Sequence, residues 1–166
     1  YGMDPKRYKE NINSLIFGYD ISEVDQDILK NASCFFVYAN QVANHLSVTN
    51  IINFLKKNFT STPVVVLENS QAVTAYSLSK IKNEFLDIGC DYIIIGDLEK
   101  SALKLYNNLN EIDSIKNIGG VISKKFINDK IDFVEDLDVL DFPSWEDFPL
   151  KNYWELGYSH GPLSNK

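Results

Sequence analysis

Three runs of apolar, β-favouring residues alternate along the middle of the chain with segments of helical periodicity. The runs are Ala32–Tyr38, Val64–Leu67 and Tyr92–Ile95. Because each run is continuously apolar, it predicts a strand buried on both faces, as in a parallel sheet that is covered by helices. Apolar residues recur at helical spacing in the segments that end near Phe59, Leu86 and Leu109. The pattern therefore predicts an α/β domain with a parallel sheet, right-handed crossovers and helices on both faces.

The flanks of this pattern predict shorter elements. Asp4-Pro5 is typical of a helix start and predicts a helix over Lys6–Ile12. Ser14–Tyr19 fits either a short strand or the end of that helix, and Ser22 is placed to cap a second helix. After the third helix, Ile118–Ile122 predicts a fourth short strand.

The sequence changes character after Lys125. Ile131–Asp141 alternates apolar residues with acids, and Phe142–Tyr153 is rich in proline and aromatic residues. Such a segment favours an extended arm over another strand–helix unit, and the Gly, Pro and Ser of Gly157–Lys166 favour a linker. We therefore predict an α/β domain over residues 1–125 and an arm with a linker over residues 126–166.

Composition and charge narrow the class of protein. The chain has 166 residues, enough for one domain with a substantial core, and a net charge of −7. It contains no run of Lys and Arg longer than a pair, which argues against nucleic acid as a partner, and no run of about 20 apolar residues that predicts a membrane span. Cys34 and Cys90 border apolar runs without a C-x-x-C spacing. They predict small core residues and a reducing, cytoplasmic setting.

Polar or small residues follow each predicted strand. In parallel sheets ligands bind at the carboxyl ends of the strands, where these loops meet. The loops offer amides, short side chains and helix N-termini, which suit a large polar ligand. The same chemistry also fits simple helix caps at Asn40, Ser70 and Asp97. The candidate ligand-binding residues are Tyr38, Ala39, Asn40, Gln41, Glu68, Asn69, Ser70, Gln71, Gly96, Asp97, Leu98 and Glu99.

The other chemistry-bearing residues predict no catalytic or metal site. His45 fits a partly packed helix histidine better than a ligand to a metal, and His160 stands alone in the predicted linker. Glu68 and Asp97 end neighbouring strands, but nothing in the sequence places a nucleophile or substrate between them. Gly119-Gly120 is not part of a G-x-G-x-x-G turn, so it gives no support to dinucleotide binding.

The order of these landmarks resembles the N-terminal cobalamin-binding domain of cobalamin-dependent radical SAM enzymes. Gly96-Asp97-Leu98-Glu99 is similar to the G-E-G-E turn of that family, with Asp97 and Leu98 departing from it. Ile118–Val121 resembles its I-x-G-[IVL] strand. Leu137–Tyr153 resembles the L-D-x-L-P-x-P linker that precedes the radical SAM barrel, although Asp141 stands where proline is usual.

The resemblance implies a flavodoxin-like or Rossmann-like domain that binds cobalamin over the carboxyl ends of its strands, against the barrel of the same enzyme. It implies that the whole enzyme performs methyl transfer or a related radical reaction. The [4Fe-4S] cluster and S-adenosylmethionine would belong to that downstream barrel, because the chain lacks a C-x-x-x-C-x-x-C motif. We expect this chain to be a fragment that positions the corrin and is not itself catalytic.

Some residues depart from the family pattern and keep two alternatives open. Glu68-Asn69 stands where the family often has two glycines, and the D-x-H-x-x-G motif that supplies a cobalt ligand elsewhere is absent. The first βαβ unit of the family is not recognisable, so we expect it to precede Tyr1 or to be replaced by residues 1–30. The alternatives are a family scaffold that has lost cobalamin and a flavodoxin-like module with a regulatory or interaction role.

Overall fold

Strands and helices alternate as the apolar pattern predicts. The computed structural model describes residues 8–11, 14–17, 21–68, 77–147 and 151. Val24–Leu137 forms one unit, and the described residues of Tyr1–Glu23 and Asp138–Lys166 form another. The strands are β1 (Tyr8–Asn11), β2 (Ser14–Phe17), β3 (Phe35–Ala39), β4 (Val64–Glu68), β5 (Tyr92–Ile94) and β6 (Val121–Ile122). The α-helices are α1 (Gln26–Lys30), α2 (His45–Asn58), α3 (Leu78–Asp87), α4 (Leu98–Asn107) and α5 (Ile112–Ile115), with 3₁₀ turns at Ile21–Glu23, Val42–Asn44, Leu137–Val139 and Trp145–Asp147.

The central sheet has the strand order β3-β4-β5-β6. Strands β3, β4 and β5 are parallel, as predicted, with Phe35 opposite Val64 and Val66 opposite Ile93. The prediction of an entirely parallel sheet is wrong for β6, which runs antiparallel to β5. After α4 the connection over residues 108–120 carries the chain back to the carboxyl end of β5, so β6 enters the sheet from that end. The sheet is therefore mixed.

Helices cover both faces of this sheet, as predicted. On one face, α2 and α3 pack Ile52, Leu55 and Phe85 against the odd-numbered side chains of β3 and β5. On the other face, Leu105 of α4 and Ile115 of α5 pack against Val65, Ile94 and Val121. These side chains are almost completely buried, so the continuous apolar runs do mark strands with two covered faces.

The N-terminal prediction of a helix over Lys6–Ile12 is wrong where the structure describes it. Tyr8–Asn11 is a strand that pairs antiparallel with Ser14–Phe17, and Tyr8 lies opposite Phe17. A helix of so few residues is unstable by itself, whereas the apolar segment that follows supplies a pairing partner for a strand. The next helix is also capped differently: Asp25, rather than Ser22, accepts a hydrogen bond from the Asp27 N–H at 2.9 Å.

The chain returns to the sheet after β6. The Ser123 hydroxyl accepts hydrogen bonds from the N–H groups of Lys125 and Phe126, which closes a tight turn, and Ile127 then bridges to Ile122. Residues 126–137 are part of the unit that contains the sheet. The extended arm predicted for residues 126–166 stays a prediction.

None of the helices in the described ranges is long and apolar enough to cross a membrane.

Candidate functional site

The carboxyl ends of β3, β4 and β5 meet at one edge of the sheet. Ala39 lies opposite Glu68, and Leu67 lies opposite Ile94. Because the three strands are parallel, the loops that follow them come together there. The structure thus brings the predicted residues 38–41, Glu68 and residues 96–99 to one edge. The predicted residues Asn69, Ser70 and Gln71 lie outside the described residues.

Glu68 connects the start of α3 to the loop after β5. One oxygen of its carboxylate accepts a hydrogen bond from the Leu78 N–H at 2.8 Å, and the other accepts from the Gly96 N–H at 3.1 Å. Leu78 is the first residue of α3, whose cap residue Ser77 makes no side-chain cap hydrogen bond. A carboxylate at a helix N-terminus satisfies an unpaired N–H and is favoured by the helix dipole. Glu68, the last residue of β4, therefore caps α3 and holds the loop after β5.

Gly96 is buried beneath a side chain of the same unit. Its φ of +83° lies in the left-handed region that favours glycine. A Cβ added at this position would overlap Cγ2 of Ile131, which itself packs against the core of the α2 and α3 face. The close approach that glycine allows is therefore used by Ile131, a residue that the sequence reading did not single out.

Asp97 is held by the segment after β6 that also contains Ile131. It occupies the cap position of α4, but its side chain makes no cap hydrogen bond. Its carboxylate instead accepts a hydrogen bond from the Val134 N–H at 3.0 Å. Nearby, Lys104 of α4 pairs with Asp132 at 3.5 Å. Glu68 and Asp97 thus both act as acceptors for main-chain N–H groups, and these hydrogen bonds connect the carboxyl ends of the strands to neighbouring segments.

Among the described residues, the end of β3 is an open part of this edge. Ala39 is buried, whereas the Tyr38 side chain is half exposed. Partial burial and then the negative charge of Glu99 in the first turn of α4 raise the pKa of the Tyr38 hydroxyl. Gln41 is partly exposed and leads into the 3₁₀ turn before α2. This open part offers an aromatic ring, an amide and a carboxylate.

Leu98 is partly buried and packs against the core on the α4 face.

His45 is the first residue of α2, and its side chain contacts α3. Its Nε2 is 3.2 Å from a carboxylate oxygen of Glu84 on α3, and its ring centroid is 5.4 Å from that of Phe85. This is the packed helix histidine that the sequence favours. In the described part of the chain, no three His, Cys, Asp or Glu side chains are grouped so that they could hold a metal ion. His160 lies outside the described residues.

Comparison with protein-family models, curated proteins and solved structures found no match. The assignment of a function therefore depends on the residues themselves.

At the opposite end of the sheet, Asp91 connects neighbouring elements through hydrogen bonds. Its Oδ2 accepts hydrogen bonds from the Val64 N–H at 2.8 Å and from Lys56 Nζ at 3.0 Å, which joins β4, β5 and α2. Next to it, the Cys90 thiol is buried and donates to the Tyr92 carbonyl at 2.9 Å. Burial raises the pKa of the Cys90 thiol to about 12 and that of the half-buried Cys34 thiol to about 11. Both cysteines are free thiols held in the protonated form.

A cavity of about 570 Å³ also lies away from the carboxyl ends of the strands. It is an open groove between α3 and the turn after β6, and Lys82, Lys124 and Lys125 line its rim. Lys124 lies 3.7 Å from Asp87 on the same rim. None of the residues that line this groove belongs to the candidate loops at the carboxyl ends of the strands.

Proposed function

We propose that the Val24–Leu137 unit is a flavodoxin-like cobalamin-binding domain, the accessory part of a radical SAM enzyme. The observation that supports this proposal is the convergence of three loops at the carboxyl ends of β3, β4 and β5. Gly96–Glu99, which resembles the G-E-G-E turn, lies at this edge. The strand that contains Val121, in the segment resembling I-x-G-[IVL], pairs with β5. A reducing, cytoplasmic setting is part of the same proposal, because both cysteines are free thiols.

The residues fit a corrin at one part of this edge. A corrin is a broad apolar ring with amide groups around its rim, so it needs a flat apolar contact and amide partners. Tyr38 offers a half-exposed ring, and Gln41 offers a partly exposed amide. Gly96 does not offer a contact, because Ile131 covers it and Glu68 accepts its N–H. The contacts of the corrin are therefore assigned to Tyr38 and Gln41, at the end of β3 and in the loop that follows it.

The cofactor, when bound, supplies a methyl carrier for the reaction of the whole enzyme. The residues of this chain would bind the corrin and orient it towards the barrel that carries the cluster and S-adenosylmethionine. His45 is engaged with Glu84 and is not assigned as a cobalt ligand.

The test is the metal content of the full-length protein, purified without oxygen and reconstituted with iron, sulfide and hydroxocobalamin. After desalting, the proposal predicts a corrin spectrum, equal amounts of cobalt and protein, and an iron–sulfur cluster. Tyr38→Ala should reduce the retained cobalt severalfold, because it removes the flat apolar contact. Tyr106→Ala is the matched control, since Tyr106 is a similarly exposed tyrosine on α4. Retention of cobalt unaffected by Tyr38→Ala would contradict the assigned contacts.

A second candidate is a scaffold of the same family that no longer binds cobalamin. The bridge from Glu68 to Leu78 and Gly96 favours it, because the carboxylate and Ile131 occupy the backbone positions that a cofactor would approach. A cluster without cobalt in the reconstituted protein would establish this candidate. Absence of both metals would instead remove the family assignment and leave the regulatory module.

A further inference from the structure

After β6 the chain returns to the loop that follows β5. The returning segment, residues 130–134, is called the strap here, and it belongs to the same unit as the sheet. Ile131 of the strap lies where a Cβ of Gly96 would be, and the Val134 N–H donates to Asp97 at 3.0 Å. The strap therefore covers the loop after β5, at the edge where the candidate site lies.

A second glycine, Gly119, gives the strap another close approach. The Ile95 N–H donates to the Gly120 carbonyl at 2.9 Å, which places Gly119 at the carboxyl end of β5. A Cβ added at Gly119 would lie 2.6 Å from the Lys130 carbonyl oxygen and 2.6 Å from Cγ of Asp132. The φ of Gly119 is not positive, so close packing rather than backbone conformation requires glycine there. The strap thus rests on two positions that have no Cβ.

The strap itself is weakly held. Its residues belong to no helix or strand. Ile131 packs against the core on the α2 and α3 face, whereas Phe133 is 67% exposed. The pair of Lys104 and Asp132, 3.5 Å apart, is partly exposed on both sides and contributes little to stability. A segment with few buried apolar contacts and no strand pairing opens at a small cost in free energy.

The segment before the strap is fixed more firmly. The Asn128 N–H donates to the Val121 carbonyl at 3.0 Å, and its side-chain amide donates to the Lys116 carbonyl at 3.1 Å. Asp129, between Asn128 and the strap, is exposed. Opening of the strap therefore stops at Asn128 and leaves β6 in place.

We propose that the strap is an autoinhibitory contact, which occupies a glycine-lined surface that binds the corrin once the strap has opened. This inference rests on the proposed function and adds its regulation. Glycine allows a flat ring to lie directly against the main chain, and Gly96 and Gly119 provide two such points at the carboxyl end of β5. Release of Ile131 also uncovers apolar core surface, which suits an apolar ring. The strap and the ligand thus compete for the same place.

Competition of this kind reduces the apparent affinity in proportion to the fraction of chains in which the strap is open. A substitution that opens the strap and leaves the covered surface intact should therefore strengthen binding. Ile131→Ala is such a substitution, because it removes the apolar anchor of the strap. Gly119→Ala also displaces the strap, but it leaves a Cβ on the surface that the ring would contact.

Two measurements on the full-length protein test the proposal. Hydrogen exchange followed by mass spectrometry reports strap opening without any ligand, and equilibrium dialysis against hydroxocobalamin gives the dissociation constant. Ile131→Ala should speed exchange in residues 130–134 at least about tenfold, leave Tyr92–Ile94 unchanged, and lower the dissociation constant at least about fivefold. Gly119→Ala should also speed the exchange of the strap but should not lower the dissociation constant. Ile127→Ala, a matched truncation at a 59% exposed isoleucine three residues before the strap, should alter neither quantity.

The outcomes distinguish failure of this inference from failure of the proposed function. Equal dissociation constants for the wild type and Ile131→Ala would overturn the autoinhibitory contact and leave the proposed function standing. Slow exchange of the strap in Ile131→Ala would also overturn it, because the strap would then have another anchor. A lowered dissociation constant in Gly119→Ala would show that the ring does not lie on the glycine-lined surface. Failure of the wild type and every variant to bind hydroxocobalamin, in protein that carries the cluster, would remove the proposed function and this inference together.

Discussion

The carboxylate of Glu68 accepts the N–H of Gly96 at 3.1 Å and thereby fixes the loop after β5 to the end of β4. Its other oxygen accepts the N–H of Leu78 at 2.8 Å, so one side chain holds both the start of α3 and the loop after β5. This dual acceptor role requires both oxygens, which gives the site a simple mutational test.

Glu68→Gln should destabilise the protein by about 1–3 kcal/mol. The amide keeps one oxygen acceptor but turns its NH₂ group towards an N–H donor, so one main-chain N–H loses its partner. Urea unfolding monitored by fluorescence measures the change in the free energy of unfolding. Glu135→Gln, at an exposed carboxylate, is the matched control and should change this free energy by less than about 0.5 kcal/mol. Equal effects of the two substitutions would show that the Glu68 bridge contributes nothing.

Gly96→Ala should destabilise the protein by more than the roughly 1–2 kcal/mol that a positive φ costs for a residue with a Cβ. The excess comes from the overlap of the new Cβ with Ile131. Gly89→Ala is the comparison, because Gly89 has a φ of +107° but its Cβ would meet the flexible side chain of Lys56. Thermal and urea unfolding measure both variants.

A double-mutant cycle separates the strain at Gly96 from the overlap. Adding Ile131→Ala should recover part of the loss in the Gly96→Ala background and none in the Gly89→Ala background. Recovery in both backgrounds, or in neither, would be inconsistent with the contact between Gly96 and Ile131.

Asp91 and Lys56 should show a measurable coupling energy of about 1 kcal/mol in a cycle of Asp91→Ala and Lys56→Met. Lys56 is largely buried in this pair, and Asp91 also accepts the Val64 N–H, so the carboxylate is held in place. The more exposed pair of Lys104 and Asp132, 3.5 Å apart, is the control and should couple by less than about 0.5 kcal/mol. The free energy of unfolding in urea is the measured quantity, and a coupling no larger than that of the control pair would refute this expectation.

The Cys90 thiol should make stability depend on pH in alkaline solution. Its pKa rises from an ordinary value of 9.0 to about 12 through burial, so between these pH values the unfolded chain has lost a proton that the folded chain keeps. The free energy of unfolding therefore falls as the pH rises through this window, by about 1.4 kcal/mol per pH unit from this group. Cys90→Ala should make the decline shallower by that amount. An unchanged slope in the variant would argue against a buried, protonated thiol.

The sequence predicts the central α/β pattern well because burial on two faces leaves a strong signal. Val64–Leu67 and Tyr92–Ile95 lie within one residue of the observed strands, and Gly89 ends α3 with a positive φ. The two-residue run of β6 does not predict its antiparallel direction. That direction depends on the end of the sheet to which the connection after α4 carries the chain. The sequence pattern does not predict the Tyr8–Asn11 strand, because this strand depends on pairing with Ser14–Phe17 rather than on its own periodicity.

The candidate site shows the same division between local and distant information. The position of Glu68, Gly96 and Asp97 at one edge follows from parallel strands, and the sequence predicts it. The use of Glu68 and Asp97 as acceptors for main-chain N–H groups does not follow, because their donors Gly96 and Val134 lie 28 and 37 residues further along the chain. Ile131 gives no signal of its own, since an isoleucine among acids is ordinary in an exposed segment.

The strand order β3-β4-β5-β6 also determines how the sheet can be assembled. Each strand pairs with the next one along the chain, so each pairing closes a single crossover and none waits for a distant segment. Loop-closure entropy rises with the length of the loop, and folding slows as contacts become more distant in sequence. The sheet can therefore grow in the order in which a ribosome delivers it, and the placement of Ile131 over Gly96 is available only after the last strand has emerged.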